Sequence, residues 1–135
     1  MKKNFKIAFF ELEHWEKEYL LKNLKNCKVQ FIEDQLNENN VNQIKDVNAI
    51  GIFIYSAITK KILQSLPNLE LIVTLSTGFD HIDLKECKKR KITVCNVPHY
   101  GENTVAEHTF ALILNLTRKI HKAYKRTIRG DFSIE

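Results

Sequence analysis

Glycine is scarce in this chain of 135 residues: the four present, Gly51, Gly78, Gly101 and Gly130, stand more than twenty positions apart. A Gly-x-Gly-x-x-Gly turn or a P-loop needs glycines clustered where the backbone meets a phosphate, so neither can be written here. Cysteine is rarer still. Cys27, Cys87 and Cys95 form no Cys-x-x-Cys pair and leave one thiol over under any pairing, which fits a reducing cytosol better than a disulfide framework. Cys27 and Cys95 fall in or beside strand-like runs and read as buried, inert thiols. The histidines His14, His81, His99, His108 and His121 contain no His-Glu-x-x-His and no i,i+4 pair, so no metal site is expected. No apolar run approaches the ~20 residues of a membrane span. The opening Met1–Phe10 has two early lysines but then a short apolar run before Glu11, too short for a signal-peptide core. A cytoplasmic protein is expected.

What is present suits an ordinary globular protein, with 44% hydrophobic and 27% charged residues. At this length a single domain, residues 1–135, buries about two thirds of its unfolded surface and needs no staples. The net charge of +5 would permit a nucleic-acid or acidic partner. Lysine-rich solvated faces produce the same number, and no nucleic-acid partner is expected.

Short apolar runs alternate with amphipathic stretches. Lys6–Phe10, Cys27–Ile32, Ala49–Tyr55, Leu69–Leu75 and Ile92–Val97 read as strands. Trp15–Leu24, Val41–Val47, Thr59–Leu66 and Leu84–Arg90 fit helical spacing, with Leu20, Leu21 and Leu24 on one face and Ile62, Leu63 and Leu66 on another. Such alternation implies right-handed crossovers and an α/β fold, a five-stranded parallel sheet with helices on both faces, in the flavodoxin-like order 2-1-3-4-5. Asn37-Glu38-Asn39-Asn40 is a polar loop and the expected mobile site.

Two segments carry the chemistry. Leu69–Leu75 stops at Ser76-Thr77-Gly78, where a glycine lets the backbone turn and expose N–H groups able to hold a carboxylate. Ile92–Cys95 runs into Asn96-Val97-Pro98-His99-Tyr100-Gly101 and then a long helix, opened by a capping-box pattern at Thr104-x-x-Glu107. In the first segment Asp80 and Asp83 read as helix-start acids, and His81 as an exposed residue between them rather than a general base. In the second, Asn96 reads as a turn-former. Glu107 is accounted for by capping, and His108 by packing at a helix start.

In this order and spacing the segments from Ser76 to Asp83 and from Cys95 to His108 resemble the catalytic domain of the D-isomer-specific 2-hydroxyacid dehydrogenases. The motifs cover residues 69–135, and residues 1–68 join by continuity of pattern. The resemblance implies an NAD-dependent oxidoreductase whose substrate is a small 2-hydroxy or 2-oxo acid. It implies that Ser76, Thr77 and Gly78 form the loop that binds the substrate carboxylate, through the amides of Thr77 and Gly78. Phe79 would close the pocket wall, Tyr100 would bond the carboxylate or the 2-oxygen, and His99 would tune side-chain preference. The family's arginine, acidic residue and acid/base histidine lie in or after a Rossmann domain that would begin beyond Glu135. No catalytic residue is therefore expected here, NAD would be bound mainly by the missing domain, and the chain alone would be the inactive substrate half of an enzyme.

The last helix is apolar around most of its circumference, with Val105, Ala106, Phe110, Leu112, Ile113 and Leu116, more than one sheet contact can bury. The resemblance supplies a partner, since this crossover helix lies at a two-fold interface in the family. A homodimer through residues 104–129 is expected. Arg118–Arg129 follows as a basic stretch, with Gly130 as its C-terminal cap. Asn115-Leu116-Thr117 meets the glycosylation sequon within this helix and reads as chance. The rival reading is a non-catalytic flavodoxin-like binding module that uses the basic helix to bind an anionic partner. A receiver-like signalling domain is disfavoured, because Phe9-Phe10-Glu11 offers no paired acids after the first strand.

Overall fold

The computed structural model describes residues 5–133. Met1–Asn4, with the two lysines weighed above, lie outside the described residues. The chain forms two compact units, the first ending at Pro98 and the second beginning at His99.

The first unit is the sheet. Its strands are β1 (Phe5–Phe10), β2 (Cys27–Ile32), β3 (Ala49–Ile52), β4 (Leu71–Thr74) and β5 (Thr93–Cys95), all parallel, in the spatial order β2-β1-β3-β4-β5. The chain therefore reverses direction across the sheet after β2. With right-handed crossovers, that reversal puts α1 (His14–Asn23) on one face and α2 (Lys60–Ser65) and α3 (Leu84–Lys89) on the other. All four residues of β3 are buried, as a central strand covered on both faces requires. Phe10, Ile50, Ile52, Leu63, Leu66 and Ile72 anchor the core and are at most 1% exposed.

Several details differ from the sequence pattern. Val41–Val47 is a single 3₁₀ turn, Val41–Ile44, and its buried Val41, Ile44 and Val47 recur at the three-residue period of that geometry. Leu21 is 58% exposed, so of the three leucines only Leu20 and the C-cap Leu24 are partly buried. The polar Asn37–Asn40 loop is cross-bonded: the Asn37 carboxamide oxygen accepts from the Asn39 N–H at 2.9 Å, and that of Asn40 from the Asn37 N–H at 2.8 Å. Cys95 is exposed on the edge strand and Cys27 half-buried, which leaves Cys87 as the one buried thiol among the three. Burial pushes the Cys87 thiol upward.

Two contacts fix the layers. Gly51 sits opposite Phe9 across the β1–β3 ladder, and a Cβ there would fall 2.2 Å from the Phe9 ring, which itself stacks on Phe31 at 6.0 Å. Arg90 reaches back from the end of α3 to the carbonyls of Leu63 and Leu66, the latter at 2.9 Å, adding a charged donor to oxygens at the C-terminus of α2 that also accept the N–H groups of Leu66 and Leu69.

The second unit holds α4 (Glu102–Thr117) and α5 (Ile120–Thr127). The single helix expected over residues 104–129 is broken. Lys119 adopts φ 53°, and the side-chain oxygen of Asn115 accepts from the His121 N–H at 3.0 Å, capping the new helix from six positions back. The capping box read at Thr104 and Glu107 is also absent: α4 starts at Glu102 from Gly101, with no side-chain cap, and both residues lie inside the helix. Gly130 does terminate α5. At φ 72° it gives its N–H to Thr127 at 3.0 Å while Asp131 bonds to Arg126 at 3.0 Å, the paired closure that favours glycine. Val105, Phe110, Leu112, Ile113, Leu114 and Leu116 of α4 are all exposed in this chain.

Candidate substrate-binding site

β4 delivers the chain to the carboxyl edge of the sheet, where open parallel sheets bind ligands. The Leu75 N–H still bonds to Ile52 at 2.8 Å, and the backbone then turns at Ser76. The turn is held from inside by a relay of side chains. Ser76 Oγ donates to the Gly78 carbonyl at 2.7 Å, Thr74 Oγ1 lies 2.6 Å from Ser76 Oγ, and His81 Nε2 lies 3.2 Å from Thr74 Oγ1. Each hydroxyl has one proton, which fixes the direction: Nε2–H of His81 donates to Thr74, Thr74 to Ser76, and Ser76 to Gly78. Thr74 and Ser76 are buried. His81 is half-buried, against the expectation of an exposed residue, because this bond and that from the Ile58 N–H to its carbonyl at 2.7 Å draw it inward.

From outside, the segment after β5 closes the same turn. The Val97 N–H bonds to the Ser76 carbonyl at 3.0 Å, Asn96 Nδ2 to the Thr77 carbonyl at 2.8 Å, and the Thr77 hydroxyl to the Val97 carbonyl at 3.0 Å. The carbonyls of Ser76, Thr77 and Gly78 are thus all engaged. No acceptor among the described residues meets the N–H of Thr77 or of Gly78. Both residues are exposed. A turn whose oxygens are taken and whose amides are open presents positive dipole ends outward, suited to a carboxylate. Gly78 does not use positive φ; what its missing side chain leaves is space, since a Cβ there would meet only Asp80 Oδ2 at 3.8 Å.

Around this turn, Asp83 caps α3 by accepting from the Glu86 N–H at 2.9 Å, as expected of a helix-start acid. Phe79 lines a hollow of about 160 Å³ with Leu84, Val94 and Asn96. A larger cavity, about 380 Å³, opens at the ends of β1, β3 and β4; Glu11, Trp15, Phe53, Tyr55 and Leu75 line it. Leu75 joins the two features, because the next residue is Ser76. No group of three or more metal-ligating side chains gathers among the described residues.

Over residues 7–132 the chain matches the family model described as D-isomer specific 2-hydroxyacid dehydrogenase, catalytic domain. The chain belongs to that family. It is similar to a 2-hydroxyacid dehydrogenase homolog of Haemophilus influenzae, at 34% identity over 96% of this chain and 40% of the relative. D-lactate dehydrogenase of Escherichia coli is 28% identical over 96% of this chain and 41% of the relative. Among solved structures, D-lactate dehydrogenase of Aquifex aeolicus, complexed with NAD and lactic acid, superposes with a TM-score of 0.86 at 33% identity, over 96% of this chain and 39% of that one. The chain thus spans about 40% of the length of the relatives it matches.

Of the 2-hydroxyacid dehydrogenase positions named from sequence, Ser76, Thr77, Gly78 and Phe79 fall in or beside one turn of the first unit. Tyr100 belongs to the second unit and is 65% exposed. His99 Nδ1 meets Glu102 Oε1 at 2.7 Å within that unit. Glu107 and His108 are exposed on α4 rather than capping or packed. Sequence reasoning missed Thr74, whose hydroxyl looks like any strand threonine, and missed Glu11 and Ser56, which meet across 45 positions. Their only local signal is a polar side chain at the end of a buried strand.

Proposed function

We propose that this chain is the substrate-holding part of a D-2-hydroxyacid dehydrogenase, which moves a hydride between NAD(H) and C2 of a small 2-hydroxy or 2-oxo acid. The observation that carries this is the Ser76–Gly78 turn, with its carbonyls engaged and the amides of Thr77 and Gly78 open. In this reading the two amides hold the substrate carboxylate. Ser76 shapes the turn, Phe79 flanks it, and Tyr100 keeps the role that the family resemblance assigns. The whole protein's activity, substrate and coenzyme are inferred from relatives longer than this chain.

The residues present do not fit NAD. Its pyrophosphate needs clustered glycine amides at the first strand-to-helix turn, and that turn here is Glu11-Leu12-Glu13, two carboxylates that would repel a phosphate. Hydride chemistry is therefore assigned to the coenzyme when bound elsewhere in the protein, and this chain's residues bind and orient the acid. The rival reading, a basic module, is weakened by Arg126, which is tied to Asp131 at 3.2 Å and to Ser133 Oγ at 2.7 Å.

Assembly follows the same reading. The exposed apolar side chains of α4 support a homodimer through this helix. No helix among the described residues is long and apolar enough to cross a membrane.

The test is an amide-resolved NMR titration with oxamate. Shifts should cluster at Thr77 and Gly78 with a dissociation constant no tighter than about 1 mM, since the resemblance maps the family's substrate-orienting arginine onto no residue of this chain. Gly78→Ala should fold normally, given the open space at its Cβ, and lose those shifts. NADH should produce no heat in calorimetry. Saturating oxamate without shifts at these two amides would sink the assignment.

A further inference from the structure

We propose that Glu11 is a positioning residue for the wall of the 380 Å³ cavity, and so for which substrate side chain is accepted. The proposal rests on the substrate reading above and extends it from the carboxylate to the rest of the acid. Glu11 follows β1 directly and stands at φ 59°, a left-handed conformation that residues with a Cβ avoid unless something holds them there. What holds it is its own carboxylate. One oxygen accepts from the Tyr55 N–H at 2.9 Å; the other accepts from the Phe53 N–H at 3.2 Å and from the Ser56 hydroxyl. Ser56 is wholly buried and accepts in turn from the Leu36 N–H at 2.9 Å. The segment after β3 is thus bonded directly to the Glu11 carboxylate, and the segment after β2 joins it through Ser56, at the point between β1 and β3 where the chain's direction across the sheet reverses.

The segment that Glu11 holds is part of the cavity wall. Phe53 and Tyr55 line the cavity together with Trp15 and Leu75, and their rings meet edge to face at 6.3 Å. Tyr55 is 67% exposed, so burial does not fix it. Its place depends on the backbone of residues 53–55, which has left the β3 ladder at Ile52 and whose amides at 53 and 55 are both bonded to Glu11. Leu75 lies in the same wall and next to the carboxylate-binding turn. An acid held by the amides of Thr77 and Gly78 would thus direct an aliphatic or aromatic side chain past Leu75 toward Phe53 and Tyr55.

Two probes separate wall from turn: oxamate, which has almost no side chain, and 4-methyl-2-oxopentanoate, which has an isobutyl group. Both are titrated into the 135-residue chain and into Glu11→Gly and Glu11→Gln. Glycine accepts the left-handed conformation and removes the carboxylate, whereas glutamine keeps the length and turns a donor toward donors. In the unmodified chain both acids should shift Thr77 and Gly78, and only the longer one should also shift Phe53 and Tyr55. In both variants oxamate affinity should stay within about twofold, while the longer acid weakens at least fivefold and loses its shifts at 53 and 55. Equal weakening of both acids, or of neither, overturns the role of Glu11 and leaves the turn assignment standing. No shift at Thr77 and Gly78 with either acid in the unmodified chain overturns the substrate reading and the proposal together. Loss of fold in both variants also overturns it, since Glu11 would then determine the fold and not the wall.

Discussion

Ser76→Ala tests whether the buried relay shapes the turn proposed to bind the substrate. Ser76 Oγ makes two bonds, to Thr74 at 2.6 Å and to the Gly78 carbonyl at 2.7 Å, with Ser76 3% exposed and Thr74 fully buried. Alanine leaves the Thr74 proton without its acceptor and the Gly78 carbonyl without its donor. An unsatisfied buried group costs ~1–3 kcal/mol, and the exposed Gly78 carbonyl recovers a bond to water, so the loss should be ~2 kcal/mol. Spread over the unfolding entropy of a chain this size, about 0.28 kcal/mol/K, that lowers the melting temperature by about 7 °C. Thr74→Val/Ser76→Ala, which replaces both partners by apolar groups, should lose less than the sum of the two single changes, with a coupling of about 1 kcal/mol. Thermal denaturation followed by circular dichroism gives the stabilities, and oxamate titration of each variant shows whether the Thr77 and Gly78 amides keep their place. A Ser76→Ala variant that melts within a degree of the parent and still binds oxamate equally, or two changes that simply add, would refute a relay that shapes the turn.

Gly51→Ala should destabilise by ~1–3 kcal/mol or more, because its Cβ would lie 2.2 Å from the Phe9 ring and break the stack on Phe31; adding Phe9→Leu should recover part of that loss in a chemical melt. Cys87, raised above its ordinary 9.0 by burial, binds its proton more tightly folded than unfolded. Its contribution is thus intact below pH 9 and is lost as pH rises from there through the folded value; Cys87→Val should flatten that alkaline decline in urea titrations. Leu112→Glu should convert a dimer of the chain to monomer in light scattering, while Lys125→Glu changes little. A standard interface buries about 800 Å² per partner and tolerates no charge at its centre, so an unmodified chain that is monomeric at high micromolar concentration would remove the α4 interface.

Much of the sheet was legible because parallel strands buried on both faces leave unmistakable apolar runs; four strands lie inside the runs read from the sequence, and β1 begins one residue earlier, at Phe5. The turn at Ser76–Gly78 was legible for a related reason. A Ser-Thr-Gly at the end of such a run marks where the chain leaves the sheet, and the chain does turn there. What was lost depended on contacts distant in sequence. His81 looked solvent-facing because nothing local reveals that Thr74 takes its ring nitrogen. The break at Lys119 carries no glycine or proline, and its cap, Asn115, lies within the preceding helix, where an asparagine reads as noise. Thr104 and Glu107 imitated a capping box, yet Gly101 had already let the helix begin at Glu102. Glu11 was read only as the absence of a paired acid, when its own carboxylate takes the Phe53 and Tyr55 amides and the Ser56 hydroxyl from more than forty positions away.

The bonds that close the turn over Ser76–Gly78 also set an order of events at the ribosome. Each strand pairs with one already made, so the sheet can assemble outward as the chain emerges, with β5 as its last member. The acceptors and donors that lock Ser76 and Thr77 from outside belong to Asn96 and Val97, about twenty residues later. Translation at about 5–20 residues per second separates the two by a second or more. During that interval the Ser76–Gly78 turn has its inner relay and lacks its outer bonds, so a chain ending before Asn96 would leave the carbonyls of Ser76 and Thr77 to water.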